Sequence, residues 1–397
     1  MSKSGQGKSN YSMWTAVVAI GILYAGSTLL TPLYPDYERE FGFSELGVTE
    51  IYAIYVLGNL AVLFFFGRLS DQVGRRLTTF VALGVTMLSA LCFLFATNIT
   101  WLFVARVLNG FATGLGAGAL TAWLAELEPN DDKSRAAVFA SAGNLGGLAF
   151  GALAAGLLAC YFPWPLRTTW IFFIALLCAT TLTIRNAPET VRDPVQTFAK
   201  LSLRPRIGVS RELRLAFVAP AAIAFASFAL AGFYAGLAPG LLAHRMGQSN
   251  VAIIGGIVAF FFGVATITAM AAQRMNNRTC LFSAVAFLWT GLGLLLLADA
   301  RQAMSFLVAA ALACGVAMAL GYCGSLRMIN EMAPEDRRAE LISSYLLVCY
   351  SANSLPIIGV GLLSLAVSAQ TAHLVFAILL ALLGLLAGVV GRTDRAK

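Results

Sequence analysis

The sequence predicts an all-α membrane protein with twelve transmembrane helices, arranged as two pseudo-symmetric six-helix bundles. Three observations support this fold class: the composition, the length of the apolar runs and an internal repeat. Of the 397 residues, 59% are hydrophobic and only 12% are charged, and the mean hydropathy is +0.80. Soluble globular proteins do not have such values. The chain is therefore expected to lie in a membrane.

Twelve apolar segments can be marked, each close to the ~20 residues that a helix needs to cross ~30 Å of hydrocarbon. Segments 1 to 12 lie at 14–34, 48–66, 78–97, 101–124, 137–160, 168–184, 215–238, 251–271, 280–298, 303–326, 342–366 and 372–391. Lipid offers the backbone no hydrogen-bond partner, so continuous spans of this length must be helices. The alternating pattern of barrel strands is absent from them.

The distribution of Lys and Arg predicts the orientation, because these residues are retained in short cytoplasmic loops. With the N-terminus inside, 22 of the 27 fall on the cytoplasmic side, four fall outside and Arg106 lies within segment 4. The first segment is too long for a signal peptide and lacks a small-residue cleavage site before Pro32. We expect a multi-pass protein of the inner cell membrane with both termini cytoplasmic. The net charge of +8 then reflects topology and anionic lipid, not a nucleic-acid partner.

Cysteine and histidine give no indication of a metal or cofactor site. The seven cysteines lie in or beside apolar runs without a CxxC pair, and are expected to be small core residues. His244 and His373 fall singly in outside loops. We therefore predict no metal, no cofactor and no histidine-based nucleophile.

An internal repeat appears when the chain is shifted by 205 residues. "AELEPNDD" (125–132) then falls on "NEMAPEDR" (330–337), which pairs Glu126 with Glu331 and Asp131 with Asp336. The predicted organisation is an N-terminal bundle at 1–184, a basic cytoplasmic linker at 185–214 and a C-terminal bundle at 215–397. Two parallel six-helix repeats around a midplane site are typical of secondary transporters.

The stretch "GRLSDQVGRR" (67–76) follows segment 2, on the cytoplasmic side by the charge count. Its two glycines allow a tight turn, and Asp71 places one negative charge among three arginines. It matches G-x-L-x-D-x-x-G-R-R and resembles the loop between helices 2 and 3 of the major facilitator superfamily. A loop that only fixes topology would account for the arginines alone.

This resemblance implies the twelve-helix major facilitator fold and a cytoplasmic latch. Asp71 would face the start of segment 11, where free N–H groups favour an anion, and Arg75 would pair with an acid at the end of segment 4. Glu126 occupies that position. The gate residues implied in this way are Gly67, Leu69, Asp71, Gly74, Arg75, Arg76 and Glu126.

Further matches resemble the drug-proton antiporters of that superfamily. They are "PLYP" (32–35), "RVLNGFATG" (106–114) with Asn109 in place of the usual Gln, and "GNLGGLAFGALAAG" (143–156). In the last of these, Ala152 stands where the antiporter motif has proline, which keeps import by symport open beside export. Rows of glycine four residues apart, at 110, 114 and 118 and at 143, 147 and 151, predict close helix packing. The glycines also fit a gating role.

Arg106 is the only ionisable side chain expected well inside the membrane, where a charge costs at least ~2.5 to 3.5 kcal/mol. It could be structural, modulate proton transfer or bind substrate. Proton coupling needs a titratable group, and the acids nearest to the spans on the outer side are Asp36 and Glu50. Asp36 is a candidate partner of Arg106. Because no carboxylate is placed to balance a cation, we expect a neutral or anionic substrate.

Polar side chains at mid-span positions are candidates for the substrate cavity, although each also fits a hydrogen bond between packed helices. They are Tyr24, Tyr55, Asn59, Asn144, Tyr234, Tyr322, Tyr350 and Asn353. The expected function is proton-coupled export of a small organic compound or drug by alternating access, with import of a metabolite as the alternative. The expected partners are that substrate, protons and lipid, and the expected state is a monomer. An enzyme or receptor would need a nucleophile with its base or a soluble module, and neither is found.

Overall fold

The computed structural model describes residues 3–67, 69–191, 208–334 and 337–393, with side chains from residue 11 onward except those of 339, 392 and 393. All regular elements in these ranges are helical. The helices are α1 (Lys3–Thr28), α2 (Tyr34–Phe41), α3 (Glu45–Phe65), α4 (Leu69–Val73), α5 (Arg75–Leu94), α6 (Ile99–Leu127), α7 (Lys133–Tyr161), α8 (Pro165–Ile184), α9 (Arg214–Gly232), α10 (Ala238–Gly240), α11 (Val251–Ala272), α12 (Asn277–Arg301), α13 (Met304–Met332), α14 (Arg338–Ala366) and α15 (Ala369–Thr393).

Twelve helical stretches in the described part of the chain are long and apolar enough to cross a membrane. This confirms the number and type of the predicted spans, and the protein is a multi-pass membrane protein. Many large apolar side chains remain exposed, among them Leu182 and Leu365. Such exposure is costly in water but matches the hydrocarbon of a bilayer. The orientation of the spans stays a prediction.

Short polar residues fix where several of these helices begin. Each accepts a hydrogen bond from a backbone N–H of the first turn, which would otherwise have no partner. The caps are Asn98 on α6, Asp132 on α7, Asn250 on α11 and Asn276 on α12. These loop residues therefore fix the positions at which the spans begin.

The first and seventh spans are longer than the sequence predicted. The first continues from α1 through the 3₁₀ turn Thr31–Leu33 into α2, and reaches Phe41 instead of residue 34. The seventh continues from α9 through α10 and two π-helical turns to Arg245 instead of residue 238. Pro35 and Pro239, which directly follow the predicted ends of these spans, lie in the first turns of α2 and α10, where no backbone N–H is required.

The chain forms two compact units. The first contains Met1–Leu33 and Ile54–Pro205, and the second contains Tyr34–Ala53 and Arg206–Lys397. Segment Tyr34–Ala53 thus groups with the C-terminal half. Most of the proposed basic linker, residues 192–207, lies outside the described residues, as do Arg68 of the basic loop and Asp336 of the repeat. The predicted domain limits remain a prediction.

Glycines bring helix backbones into contact within the first unit. A Cβ placed on Gly147 of α7 would lie 2.3 Å from the carbonyl oxygen of Gly21 in α1. One placed on Gly110 of α6 would lie 1.9 Å from the carbonyl oxygen of Tyr55 in α3. No side chain fits at either position. Gly118 has nothing within 4 Å of its Cβ position, so the row in α6 contributes to packing over a shorter length than expected.

The cysteines follow their prediction only in part. All seven are free thiols, and five of them are buried. Cys160 and Cys178 are exposed, so the expectation of a core position was wrong for these two. They lie in α7 and α8, close to exposed apolar side chains such as Leu157 and Leu182. Hydropathy alone could not separate a face covered by protein from one covered by lipid.

Candidate functional site

The turn before α5 has the backbone geometry that its two glycines suggested. Gly74 adopts φ 113°, a conformation that side chains disfavour. Gly67 does not have a positive φ, but a Cβ there would lie 3.2 Å from the carbonyl oxygen of Leu63. Leu69 packs on the apolar cluster of Val62, Ala82 and Leu115. The turn is therefore fixed to the helices that flank it.

Arg75 connects the turn to the end of α6. Its guanidinium forms an ion pair with Asp71, donates to Ser70 Oγ at 2.8 Å and contacts the Glu126 carboxylate at 3.0 Å. The expected partner of Arg75 is thus in place. Asp71 itself is 56% exposed. In the repeat, Glu331 near the end of α13 accepts a hydrogen bond at 2.7 Å from Asn277 at the start of α12. Each half of the chain therefore connects its own pair of corresponding helix ends.

Glu189 binds the backbone beside the predicted gate residues, a contact that the sequence did not reveal. Its carboxylate accepts the backbone N–H groups of Arg75 at 2.9 Å and Arg76 at 3.0 Å, the first residues of α5. A helix N-terminus carries partial positive charge and favours an anion. Burial raises the pKa of Glu189, but four backbone N–H bonds outweigh it and hold that pKa below 4.5. The only signal in the sequence was an acid within a basic connector.

The segment around Glu189 ties together three helix ends. Arg76 Nη1 donates to the carbonyl of Ala187 at 3.2 Å, and Trp123 Nε1 donates to that of Pro188 at 3.0 Å. The Thr190 hydroxyl donates to Glu126. The start of α5, the end of α6 and the chain after α8 thus form one polar cluster, which we call the gate cluster.

Arg106 is buried, with 1% of its surface exposed. Its Nη1 donates to the carbonyl oxygen of Ser27 at 2.8 Å, and its guanidinium carbon lies 5.7 Å from the centre of the Tyr55 ring. The Ser27 hydroxyl is hydrogen bonded to Tyr55 and Thr113, at 3.4 Å in each case. The carbonyl and the ring are neutral partners, so they stabilise the positive charge without cancelling it.

Two buried amides lie on the same helices. Asn59 is 1% exposed and Asn109 is 2% exposed. In the described part of the chain, three of their side-chain atoms have no hydrogen-bond partner: Asn59 Nδ2, Asn59 Oδ1 and Asn109 Oδ1. A buried polar atom without a partner costs about 1–3 kcal/mol. Both amides can therefore receive a polar ligand or water at little further desolvation cost.

The remaining mid-span candidates are distributed over both units. In the first unit, Tyr24 and Asn144 are half-buried. In the second unit, Asn353 Oδ1 accepts a hydrogen bond from Tyr52 at 3.0 Å, a contact that the sequence did not suggest. Tyr350 is half-buried. Two further tyrosines pack on aromatic rings: Tyr234 stacks on Phe261, and Tyr322 contacts the edge of Phe228.

The two candidate coupling acids lie at the ends of helices. Asp36 forms an ion pair with Arg39, one turn later in α2. Glu50 is exposed on α3. The contacts shown for Arg106 are with Ser27 and Tyr55, so Asp36 is not shown as its partner. A role of either acid in proton transfer stays a prediction.

Both histidines were wrongly expected in loops. His373 lies in the second turn of α15 and is 7% exposed, and His244 lies in the π-helical turn that ends the seventh span. Each is paired with a buried carboxylate: His244 Nε2 is 3.0 Å from Glu38, and His373 Nδ1 is 2.9 Å from Asp299. Arg106 is therefore not the only buried ionisable group. For His244 the error followed from ending segment 7 at 238. His373 already lay within segment 12 as marked at 372–391, so its assignment to a loop disagreed with that span.

The second unit also contains a cavity of about 130 Å³. Its polar lining includes Glu38, Glu45, Thr49, Arg245, Ser364 and His373. No group of three or more His, Cys, Asp or Glu side chains that could hold a metal ion occurs in the part of the chain described.

Comparison with known proteins defines the family. The family model of the Major Facilitator Superfamily matches residues 16–355. The chain belongs to this superfamily. Its members are transporters, and the twelve spans found here are those of the major facilitator fold. The resemblance that rested on the loop at 67–76 is thus confirmed for the whole chain.

Two relatives within the superfamily are named for drug resistance. The chain is 27% identical to Multidrug resistance protein D of Escherichia coli over 179 residues, which are 45% of this chain and 44% of that protein. It is 24% identical to the Quinolone resistance protein NorA of Staphylococcus aureus over 128 residues, 32% of each chain. In both cases the match spans less than half of the relative.

Proposed function

We propose that this protein is a secondary transporter that exports small organic compounds or drugs by alternating access, driven by the proton gradient. The observation that carries the proposal is the superfamily match over residues 16–355 together with relatives named for multidrug and quinolone resistance. The charge distribution supports a location in the inner cell membrane with cytoplasmic termini. No catalytic residue takes part in this proposal, and the expected functional state is a monomer.

The gate cluster supports the cytoplasmic latch within this proposal. Arg75 joins Asp71 and Glu126, and Glu189 binds the backbone at the start of α5. Hydrogen bonds to charged groups contribute about 1.5–3 kcal/mol when buried, and less where solvent screens them as it does here. A set of such bonds is strong enough to favour one state and weak enough to break within a transport cycle.

The substrate is proposed to be neutral or anionic. A second unit charge ~4 Å from the Arg106 guanidinium would interact with it by about 4 kcal/mol at an effective dielectric of 20, which disfavours a cationic substrate. Glu38 and Asp299 are buried acids within the spans, and both are already paired. Glu38 contacts His244 and Asp299 contacts Arg245. The amides of Asn59 and Asn109 are proposed to contact the substrate, because both have unused polar atoms.

Import by symport is the second candidate, and a specific observation supports it. Ala152 stands where the antiporter motif has proline, it is fully buried, and α7 runs through this position without a break. Purified protein in liposomes with an imposed pH gradient decides between the two. Export requires substrate flux opposite to proton flux, whereas flux in the same direction would establish symport.

A further inference from the structure

The cavity of the second unit lies beside a chain of paired charges. Asp299, which is 4% exposed, accepts Arg245 Nε on Oδ1 at 2.5 Å and lies 2.9 Å from His373 Nδ1 on Oδ2. Arg245 and His373 also line the cavity. These residues come from the ends of the seventh, ninth and twelfth spans, which the charge count places on the outer side. A space of about 130 Å³ holds several water molecules at about 30 Å³ each.

His373 has the chemistry of a proton carrier. Imidazole is the side chain whose ordinary titration lies between about pH 5 and 8. Because Nδ1 faces the Asp299 carboxylate, Nδ1 is the protonated nitrogen and Nε2 is left to take a second proton. Arg245 and Asp299 balance each other in charge. Protonation of the ring therefore changes the charge of the group from zero to plus one.

The charged and titratable groups that line the cavity beside His373 are Tyr34 and Glu38 on α2, Glu45 on α3 and Arg245 at the end of the seventh span, and Asp299 on α12 contacts the ring. The same elements also carry Asp36, Arg39, Glu40, Glu50, His244, Arg278 and Arg301, none of which lines the cavity. Arg301 is exposed at its helix end. His244 pairs with Glu38 at 3.0 Å but is 43% exposed, so solvent reaches it directly. His373 is enclosed by Asp299 and by the edge of the Phe233 ring. Of the two histidines, only His373 both lines the cavity and contacts Asp299.

We propose that His373 is the proton-binding group of the transport cycle. Hydronium in the cavity transfers a proton to Nε2, which leaves water and an imidazolium held by Asp299. The same proton returns to water when the group is next deprotonated. This proposal deepens the proposed function, since it rests on proton-driven transport, and it places coupling at the group of Arg245, Asp299 and His373 rather than at Asp36 or Glu50.

The first test reads the histidines directly. Only two histidines occur in the chain, so protein labelled with ¹⁵N-histidine gives two sets of ring signals, and His244→Asn assigns them. We expect the His373 signals to change from those of a neutral ring to those of an imidazolium as the pH is lowered over the range in which the gradient drives flux. A His373 ring that stays in one protonation state over this range overturns the proposal, whatever the substrate.

The second test measures flux, with the quinolone norfloxacin as probe. His373→Asn keeps an N–H donor for Asp299 but cannot titrate. It should reduce gradient-driven flux by about tenfold or more, while exchange without a gradient stays within about twofold of the wild type. His244→Asn is the matched control and should retain gradient-driven flux. Asp36→Asn combined with Glu50→Gln tests the alternative carriers in the same assay.

The outcomes separate this proposal from the proposed function. If the wild type responds to the gradient and His373→Asn responds equally, His373 is not the carrier, although proton-driven transport stands. If flux is lost in the Asp36 and Glu50 double variant but not in His373→Asn, coupling lies at those acids instead. If wild-type exchange ignores the gradient, the proposed function fails and the assignment fails with it.

Discussion

The packing of α7 on α1 allows a quantitative prediction at Gly147. A Cβ at this position would lie 2.3, 2.8 and 2.9 Å from the oxygen, Cα and carbonyl carbon of Gly21, all of them backbone atoms. Ordinary contact needs about 3.5 Å, so Gly147→Ala must move the two helices apart by about 1 Å. No side-chain rotamer can relieve such a clash, because both partners are backbone.

The matched control is Gly118→Ala, where nothing lies within 4 Å of the added Cβ. Both variants gain about 0.5–1 kcal/mol from replacing glycine within a helix. The difference between them therefore isolates the packing cost, which is about 1–3 kcal/mol for an overpacked site. At about 2.1 cal/mol/K of unfolding entropy per residue, a cost of this size in a 397-residue chain lowers the melting temperature of Gly147→Ala by about 1–4 °C relative to Gly118→Ala.

Scanning fluorimetry of both variants in one detergent measures this difference, and liposome flux measures function beside it. Equal melting temperatures would refute the argument that Gly147 is required for helix contact. Loss of transport at an unchanged melting temperature would assign the glycine row to gating instead. The two measurements together therefore distinguish a packing role of the glycine row from a gating role.

Three further predictions concern charged groups. Asp71→Asn removes the ion pair with Arg75 and should lower norfloxacin flux by about tenfold in protein that still folds and inserts. Glu189→Gln should lower the melting temperature at pH 7. Because the folded-state pKa of Glu189 lies below 4.5, this difference is present above that pH and disappears as the pH falls through the folded-state pKa. Arg106→Lys keeps the positive charge, so it and the wild type should both fail to export tetraphenylphosphonium.

The Asp71 and Glu189 predictions share one control, Glu40→Gln. Because Glu40 is exposed, this variant should change neither the flux nor the melting temperature. Unchanged flux in Asp71→Asn would remove the latch from the proposed mechanism. A Glu189→Gln difference that persists at a pH below the folded-state pKa of Glu189 would show that the carboxylate charge is not its cause. Strong export of tetraphenylphosphonium by both the wild type and Arg106→Lys would contradict the substrate-charge argument.

The sequence by itself determined the fold class and the spans. A bilayer fixes both the length and the composition of a crossing helix, so twelve spans could be counted without tertiary information. The loop at 67–76 carried the family, because a tight turn with a defined charge pattern is a local feature. The resemblance implied the pairing of Arg75 with Glu126, and the structure confirms this contact.

Helix ends near proline were harder to predict. The marked segments 1 and 7 end just before Pro35 and Pro239, and yet the first and seventh spans continue past these prolines to Phe41 and Arg245. Proline interrupts a helix where a backbone N–H is needed for hydrogen bonding or where its ring clashes with the carbonyl of the preceding turn. In the first turn of a helix no such N–H is needed and no preceding turn is present. Only the assembled backbone shows which case applies.

Only the tertiary structure decided which charged groups meet. Arg245, Asp299 and His373 are 54 and 74 residues apart along the chain, and yet they form one hydrogen-bonded group. Glu189 binds the start of α5 from 113 and 114 residues away. No spacing rule connects such residues, because their contact depends on how whole helices pack and not on the turn in which each lies. A buried charge requires a partner, but the sequence does not say which partner the fold provides.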